Sequence, residues 1–92
     1  TEERMNSDEE ISRGERAALL LNDPLLAEAF VRLAALYIEQ WESASARDTE
    51  GREKLWLMVK VLGQIKGHLQ TVMETGKLAA RRRLDNQRQP KR

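Results

Sequence analysis

The segment from Pro24 to Glu42 constrains the fold most, because its apolar surface is too wide for one helical partner. On a helix with about 100° per residue, its charged side chains form a strip only about 80° wide, and most of the remaining circumference is apolar. The strip consists of Glu28, Arg32, Glu39 and Glu42. A two-helix hairpin buries one face of each helix. A short third helix, a second copy of the chain or another protein must therefore cover the rest.

Chain length and cysteine content limit how such a fold can be stabilised. A chain of 92 residues forms one small domain, and a core of this size leaves a margin of only a few kcal/mol, so small domains are usually reinforced by disulfides, a metal or oligomerisation. The chain has no cysteine and one histidine, which excludes a disulfide and disfavours a metal site. We therefore expect oligomerisation and no cofactor.

Capping signals mark the first two helices. The segment Ser7–Glu10 matches a capping box and predicts a first helix at about residues 8–21. The pair Asp23–Pro24 then predicts the N-cap and first turn of a second helix, over about residues 24–43.

The third helix begins after a short loop. Asp48 is its predicted N-cap, and Gly76 predicts its end, which gives a helix over about residues 49–75. The loop Ser43–Arg47 is short enough to make the two long helices antiparallel. We predict an all-α fold, namely a long antiparallel helical hairpin with a short N-terminal helix and a flexible basic C-terminal tail. The predicted segments are an acidic disordered N-terminus (1–7), a helical domain (8–76) and a basic tail (77–92) that is a helical extension or disordered.

A heptad-like seam on the third helix predicts the core of the hairpin. It consists of Leu55, Met58, Leu62, Ile65, Leu69 and Val72. The matching stripe on the second helix consists of Leu26, Phe30, Leu33, Tyr37 and Trp41.

The rows outside this seam predict a protein interface. The second helix carries two such rows, one with Ala27, Val31, Ala34 and Ile38 and the other with Leu25, Ala29 and Leu36. On the third helix, Gly63 and Gly67 lie one turn apart in a row with Trp56, where a neighbouring helix can approach closely and the tryptophan can anchor it. The glycines alternatively reflect tolerance or a bend. The candidate interface comprises Val31, Ala34, Ile38, Trp56, Gly63 and Gly67. A monomeric three-helix bundle with exposed alanines is the alternative to self-association or docking on a larger partner.

Charge is segregated to the two ends of the chain. Thr1–Glu10 has five acidic residues against one base, giving −4, and Lys77–Arg92 has seven bases against one acid, giving +6. The basic candidates for binding nucleic acid or an acidic partner are Lys77, Arg81, Arg82, Arg83, Arg88, Lys91 and Arg92. Such a tail binds phosphates in a salt-sensitive, sequence-independent way, pairs with an acidic protein surface, or serves only solubility. It contains no aromatic residue for base stacking.

Catalysis has little support in the sequence. His68 is isolated, and no phosphate-binding glycine loop, metalloprotease motif or nucleophile–base pair occurs at a recognised spacing. We predict a non-enzymatic protein without a small-molecule substrate. No apolar run approaches 18 residues and no signal peptide is recognisable, so we also expect a soluble intracellular protein with no membrane partner.

The middle of the chain resembles small helical proteins of tailed bacteriophages and prophages. The resemblance rests on Asn22–Phe30, Trp41, Arg47–Trp56 and Gly76–Ala79. Such proteins are encoded among virion-morphogenesis and DNA-packaging genes. The resemblance implies a structural or assembly subunit, in the host cytoplasm or the virion, that binds copies of itself or a virion component through its hairpin. The alternative is a DNA-packaging accessory similar to phage small terminase subunits, which form rings through an α-hairpin, although this chain has no obvious N-terminal DNA-reading domain.

Overall fold

The structure, a computed structural model, describes residues 6–88 and contains three helices in this range. They are α1 (Ser7–Leu21), α2 (Pro24–Ser43) and α3 (Thr49–Arg88). No strand occurs in residues 6–88, so the predicted all-α class is confirmed. The predictions for residues 1–5, Lys91 and Arg92 lie outside the described residues.

The caps of α2 and α3 are those that the sequence predicts. The Asp23 carboxylate Oδ1 accepts hydrogen bonds from the Leu25 and Leu26 amides at 2.8 and 3.0 Å, and Pro24 occupies the first turn. The Asp48 carboxylate accepts from the Gly51 amide at 3.0 Å. Both aspartates thus satisfy amide groups that have no partner inside their own helix.

The cap of α1 lies one residue earlier than predicted. The Glu9 amide donates to Asn6 Oδ1 at 2.8 Å, and the Asn6 amide donates back to Glu9 Oε1 at 3.3 Å. The predicted capping box at Ser7 and Glu10 is therefore wrong, and Ser7 is the first helical residue rather than part of a disordered arm. Asparagine caps a helix as well as serine does, and the shift leaves Glu10 available to pair with Arg82.

The predicted end of α3 at Gly76 is also wrong, because α3 continues through this glycine to Arg88. No glycine in the described part of the chain has a positive φ, so Gly76 does not form a left-handed cap. A Cβ atom at Gly76 would lie 2.8 Å from the Cα of Gly14 and 2.8 Å from the carbonyl oxygen of Glu10. Gly76 is therefore a packing residue that lets α1 approach α3. Residues 77–88 of the predicted tail form a helical extension.

The described chain divides into two compact units, and α3 contributes to both. In the unit formed by residues 6–21 and 68–88, α1 packs on the C-terminal half of α3 through small residues. The fully buried residues there are Gly14, Ala17, Gly76 and Ala79.

The second unit, Asn22–Gly67, contains α2 and the first half of α3, and none of its residues is fully buried. Near the loop, the guanidinium of Arg52 lies 4.2 Å from the ring centroid of Trp41 and reaches the Ala44 carbonyl oxygen at 3.5 Å. Further along α3, Leu55 and Val59 are half-buried against α2.

The heptad-like seam forms only in part. Leu55, Leu62 and Leu69 are half-buried, but Met58 and Ile65 are 41% and 48% exposed. Val59, which the seam omitted, shares grooves with residues of α2. A straight helix with 3.6 residues per turn presents Val59 to α2 together with Leu55 and Leu62, so the buried stripe is rotated away from Met58.

Candidate protein interface

A groove between α2 and α3 brings together three of the predicted interface residues. It has a volume of about 280 Å³ and is lined by Phe30, Val31, Ala34, Val59, Leu62, Gly63 and Lys66. Val31 is 66% exposed beside it. A Cβ atom at Gly63 would meet no heavy atom within 4 Å, so the space over this glycine is open.

A second groove continues the same surface toward the loop. It has a volume of about 240 Å³ and is lined by Tyr37, Ile38, Trp41, Leu55, Trp56 and Val59. Trp56 is 54% exposed, and the Lys60 ammonium lies 5.2 Å from the centroid of its ring, within the range of a cation–π contact. Because Val59 lines both grooves, they form one surface, which we name the first face; it is defined by Val31, Ala34, Ile38, Trp56, Val59 and Gly63.

Five of the six predicted interface residues therefore lie on the first face. Gly67 lines neither groove, although it is half-exposed and a Cβ atom there would also meet no heavy atom within 4 Å. The helical period was the signal that identified the other five.

The sequence pattern identified only part of a second apolar face on the same unit, namely the row with Leu25 and Leu36. We name the second face by six exposed residues, Leu25, Leu33, Leu36, Met58, Val61 and Ile65. Leu25 is the most exposed of them, at 73%. The predicted seam assigned Leu33, Met58 and Ile65 to the hairpin core, which concealed this face; the row with Leu25 and Leu36 was the available signal.

Little apolar surface is buried within either of the two units. Among the described residues, the buried hydrophobic side chains are those of Ala17 and Ala79 alone, and no large side chain is fully buried. The apolar surface that normally forms a core is thus available to another molecule.

The basic residues of α3 are partly engaged by α1. Arg82 lies 3.5 Å from the Glu10 carboxylate, and Arg83 pairs with Asp8. Lys77 is exposed. The positions of the other candidates differ: Arg81 is exposed on the helix, Arg88 is the last helical residue, and Lys91 and Arg92 are outside the described residues. The acidic first turn of α1 and the basic end of α3 therefore meet in part.

Residues 6–88 contain no cluster of side chains that suits a metal site. His68 is exposed on α3, and no three His, Asp or Glu side chains in this range converge to hold a metal ion. None of the helices in the described range is both long and apolar enough to cross a membrane. Comparison with protein-family models, curated proteins and solved structures finds no match to this chain.

Proposed function

We propose that this chain is a non-enzymatic assembly subunit of the phage type, which binds copies of itself or a virion component through α2 and the first half of α3. One observation carries the proposal. Eleven large hydrophobic residues of Asn22–Gly67 are exposed, while no residue of this unit is fully buried. Contiguous apolar patches of more than a few hundred Å² are rare on monomers and mark interaction surfaces.

The proposed binding element is an antiparallel helical hairpin. The order of the groove residues supports this arrangement: Ile38 shares a groove with Trp56, whereas Val31, earlier in α2, shares one with Gly63, later in α3. Residue numbers thus fall along α2 as they rise along α3, as in an αα-hairpin. Both helices begin at capped residues, which gives the hairpin defined ends.

The composition of the faces favours a protein partner. Trp56 and Trp41 are exposed beside aliphatic side chains, and tryptophan is enriched among residues that dominate binding energy. Lys66 is the one charged residue among those that line the two grooves, and two further cations, Lys60 and Arg52, lie against the rings of Trp56 and Trp41. Depletion of charge at the centre is typical of interface cores.

The test combines native mass with a probe of exposed apolar surface. We would measure mass by light scattering at low and high salt, and the fluorescence of 1-anilinonaphthalene-8-sulfonate added to the protein. A salt-resistant oligomer, or a monomer that binds the dye strongly, supports the proposal. A monomer that leaves the dye dark would contradict it, because the apolar faces would then be covered within one chain. Val31→Gln should reduce assembly or dye binding, and Arg32→Gln, on the polar strip, is the matched control.

A DNA-packaging accessory role is the second candidate, and the helical extension favours it. Lys77 and Arg81 lie one turn apart on α3 and are both exposed, which suits contacts with successive phosphates. Replacing Arg81, Arg82 and Arg83 by alanine should weaken binding to every DNA sequence and lower the salt slope by about one per lost contact. Arg47→Ala, in the loop before α3, is the control. Equal affinity of the triple variant and the control would remove the basic helix from this role.

A further inference from the structure

We propose that the occupant of the first face is the same face of a second copy, with α2 of each copy antiparallel to α3 of the other. In this arrangement Val31 of one copy lies over Gly63 of the other, and Ile38 lies against Trp56. The inference rests on the proposed assembly function and specifies its partner and register.

The spacing of the four residues supports this register. Val31 and Ile38 are seven residues apart on α2, and Trp56 and Gly63 are seven apart on α3. The two grooves place Val31 level with Gly63 and Ile38 level with Trp56 along the hairpin. A two-fold axis parallel to the helices leaves the position of each residue along the hairpin unchanged. It places α2 of one copy opposite α3 of the other. Both contacts therefore form at once, and each forms twice, as an isologous interface requires.

The shapes of the paired residues are complementary. Val31 projects at 66% exposure, and Gly63 offers open space in which a Cβ atom would meet nothing within 4 Å. A projecting side chain that fills a gap on the facing helix is the packing found in helical bundles. Ile38 and Trp56 are both exposed and supply a larger apolar contact one heptad away. One face thus contains both the projection and the gap that receives it.

Area and charge also fit a second copy. A helix of 20 residues is about 30 Å long, and two helices side by side are about 18 Å wide, so two copies cover roughly 1,100 Å² in projection. This projected area is close to the lower end of the range of about 1,200–2,000 Å² that specific interfaces bury. Residues 22–67 contain seven acidic and six basic residues, a net −1, so two copies repel each other little.

Disulfide trapping tests the register, since the chain contains no native cysteine. One preparation would carry Val31→Cys and a second, with a mass tag, Gly63→Cys. A disulfide needs Cβ atoms about 3.5–4.5 Å apart. We expect the mixture to form the mixed disulfide under mild oxidation. Arg32→Cys, next to Val31 but on the polar strip, should give much less product with the Gly63→Cys preparation.

The outcomes separate this inference from the proposed function. A stable oligomer in which Leu36→Cys and Met58→Cys cross-link instead would overturn the first face as the self-interface. A monomer that binds the dye strongly would overturn the proposal that a second copy occupies the first face, but it would leave the assembly function intact. A monomer that leaves the dye dark would overturn both.

Gly63→Leu gives an independent test without cysteine. Because the space over Gly63 is open, a leucine there leaves the helix intact, but it occupies the position of the partner's Val31. We expect the dissociation constant of the dimer to rise roughly tenfold or more, with unchanged circular dichroism. Gln64→Leu, one residue along α3, is the control and should keep the affinity of the parent. A Gly63→Leu variant that dimerises as well as this control would refute the register.

Discussion

Gly76→Ala should destabilise the unit formed by α1 and the C-terminal half of α3, although alanine is the better helix former. The new Cβ atom would lie 2.8 Å from the Cα of Gly14 and 2.8 Å from the Glu10 carbonyl oxygen, a separation that Cβ atoms in proteins essentially never show. Both neighbours are backbone atoms, so no side-chain rotation relieves the contact. Either α1 shifts outward while it stays packed on α3, or the two helices lose their contact.

The expected magnitude is the difference between two effects. Overpacking a tight contact costs about 1–3 kcal/mol, and replacing glycine by alanine inside a helix recovers about 0.5–1 kcal/mol. The free energy of unfolding should therefore fall, by up to about 2.5 kcal/mol. For a domain of this size each kcal/mol corresponds to roughly 4–8 °C in the melting temperature.

Gly67→Ala separates the two effects experimentally. Gly67 lies in the same helix, and a Cβ atom there would meet no heavy atom within 4 Å, so this variant keeps the helical gain without the contact. We would compare both variants by thermal unfolding and by hydrogen exchange of the α1 amides. We expect Gly76→Ala to be less stable than Gly67→Ala by about 1–3 kcal/mol and to exchange its α1 amides faster. Equal stability of the two variants, with unchanged exchange in α1, would refute the close helix contact.

Two further predictions concern local interactions. Asp23→Ala should lower the free energy of unfolding, measured in urea, by about 1 kcal/mol, because the Leu25 and Leu26 amides lose their acceptor. Asp23→Asn should retain most of the stability, so equal losses in the two variants would contradict the capping role. Arg83→Ala should change the free energy of unfolding by less than about 1 kcal/mol, since the side chains of Arg83 and Asp8 are 43% and 75% exposed. Urea unfolding at low and high salt measures this, and a larger loss that is insensitive to salt would show that the pair is more than a surface contact.

Local signals in the sequence were sufficient for most helix boundaries. An aspartate followed by proline or by a glutamate-containing turn restricts the backbone within three residues, so the caps at Asp23 and Asp48 could be predicted without knowing the tertiary structure. The role of Gly76 could not be predicted in this way, because a glycine after a long helical run predicts either a cap or a close helix contact. The second possibility depends on Gly14, which lies 62 residues earlier in the chain.

The candidate interface was predictable only in part, for a reason of helical geometry. A spacing of three and four residues selects Leu55, Met58 and Leu62 as a seam, but Leu55, Val59 and Leu62 satisfy the same spacing. The two stripes overlap, and only the orientation of α2 decides between them. The predicted residues of the first face lie side by side in either case, whereas the second face becomes visible only once Met58 is known to be exposed.

The glycines of α3 show that the surroundings of a residue determine its role more than its spacing does. Gly63 and Gly67 have the spacing of a helix-packing motif, yet the space over each is open in the described part of the chain. Gly76 has the position of a helix cap and is the one in close backbone contact with α1. A helical glycine costs roughly 0.5–1 kcal/mol relative to alanine. At Gly76 the approach of α1 offsets that cost, whereas at Gly63 nothing in residues 6–88 does. A second copy whose Val31 occupies the space over Gly63 would supply the missing compensation.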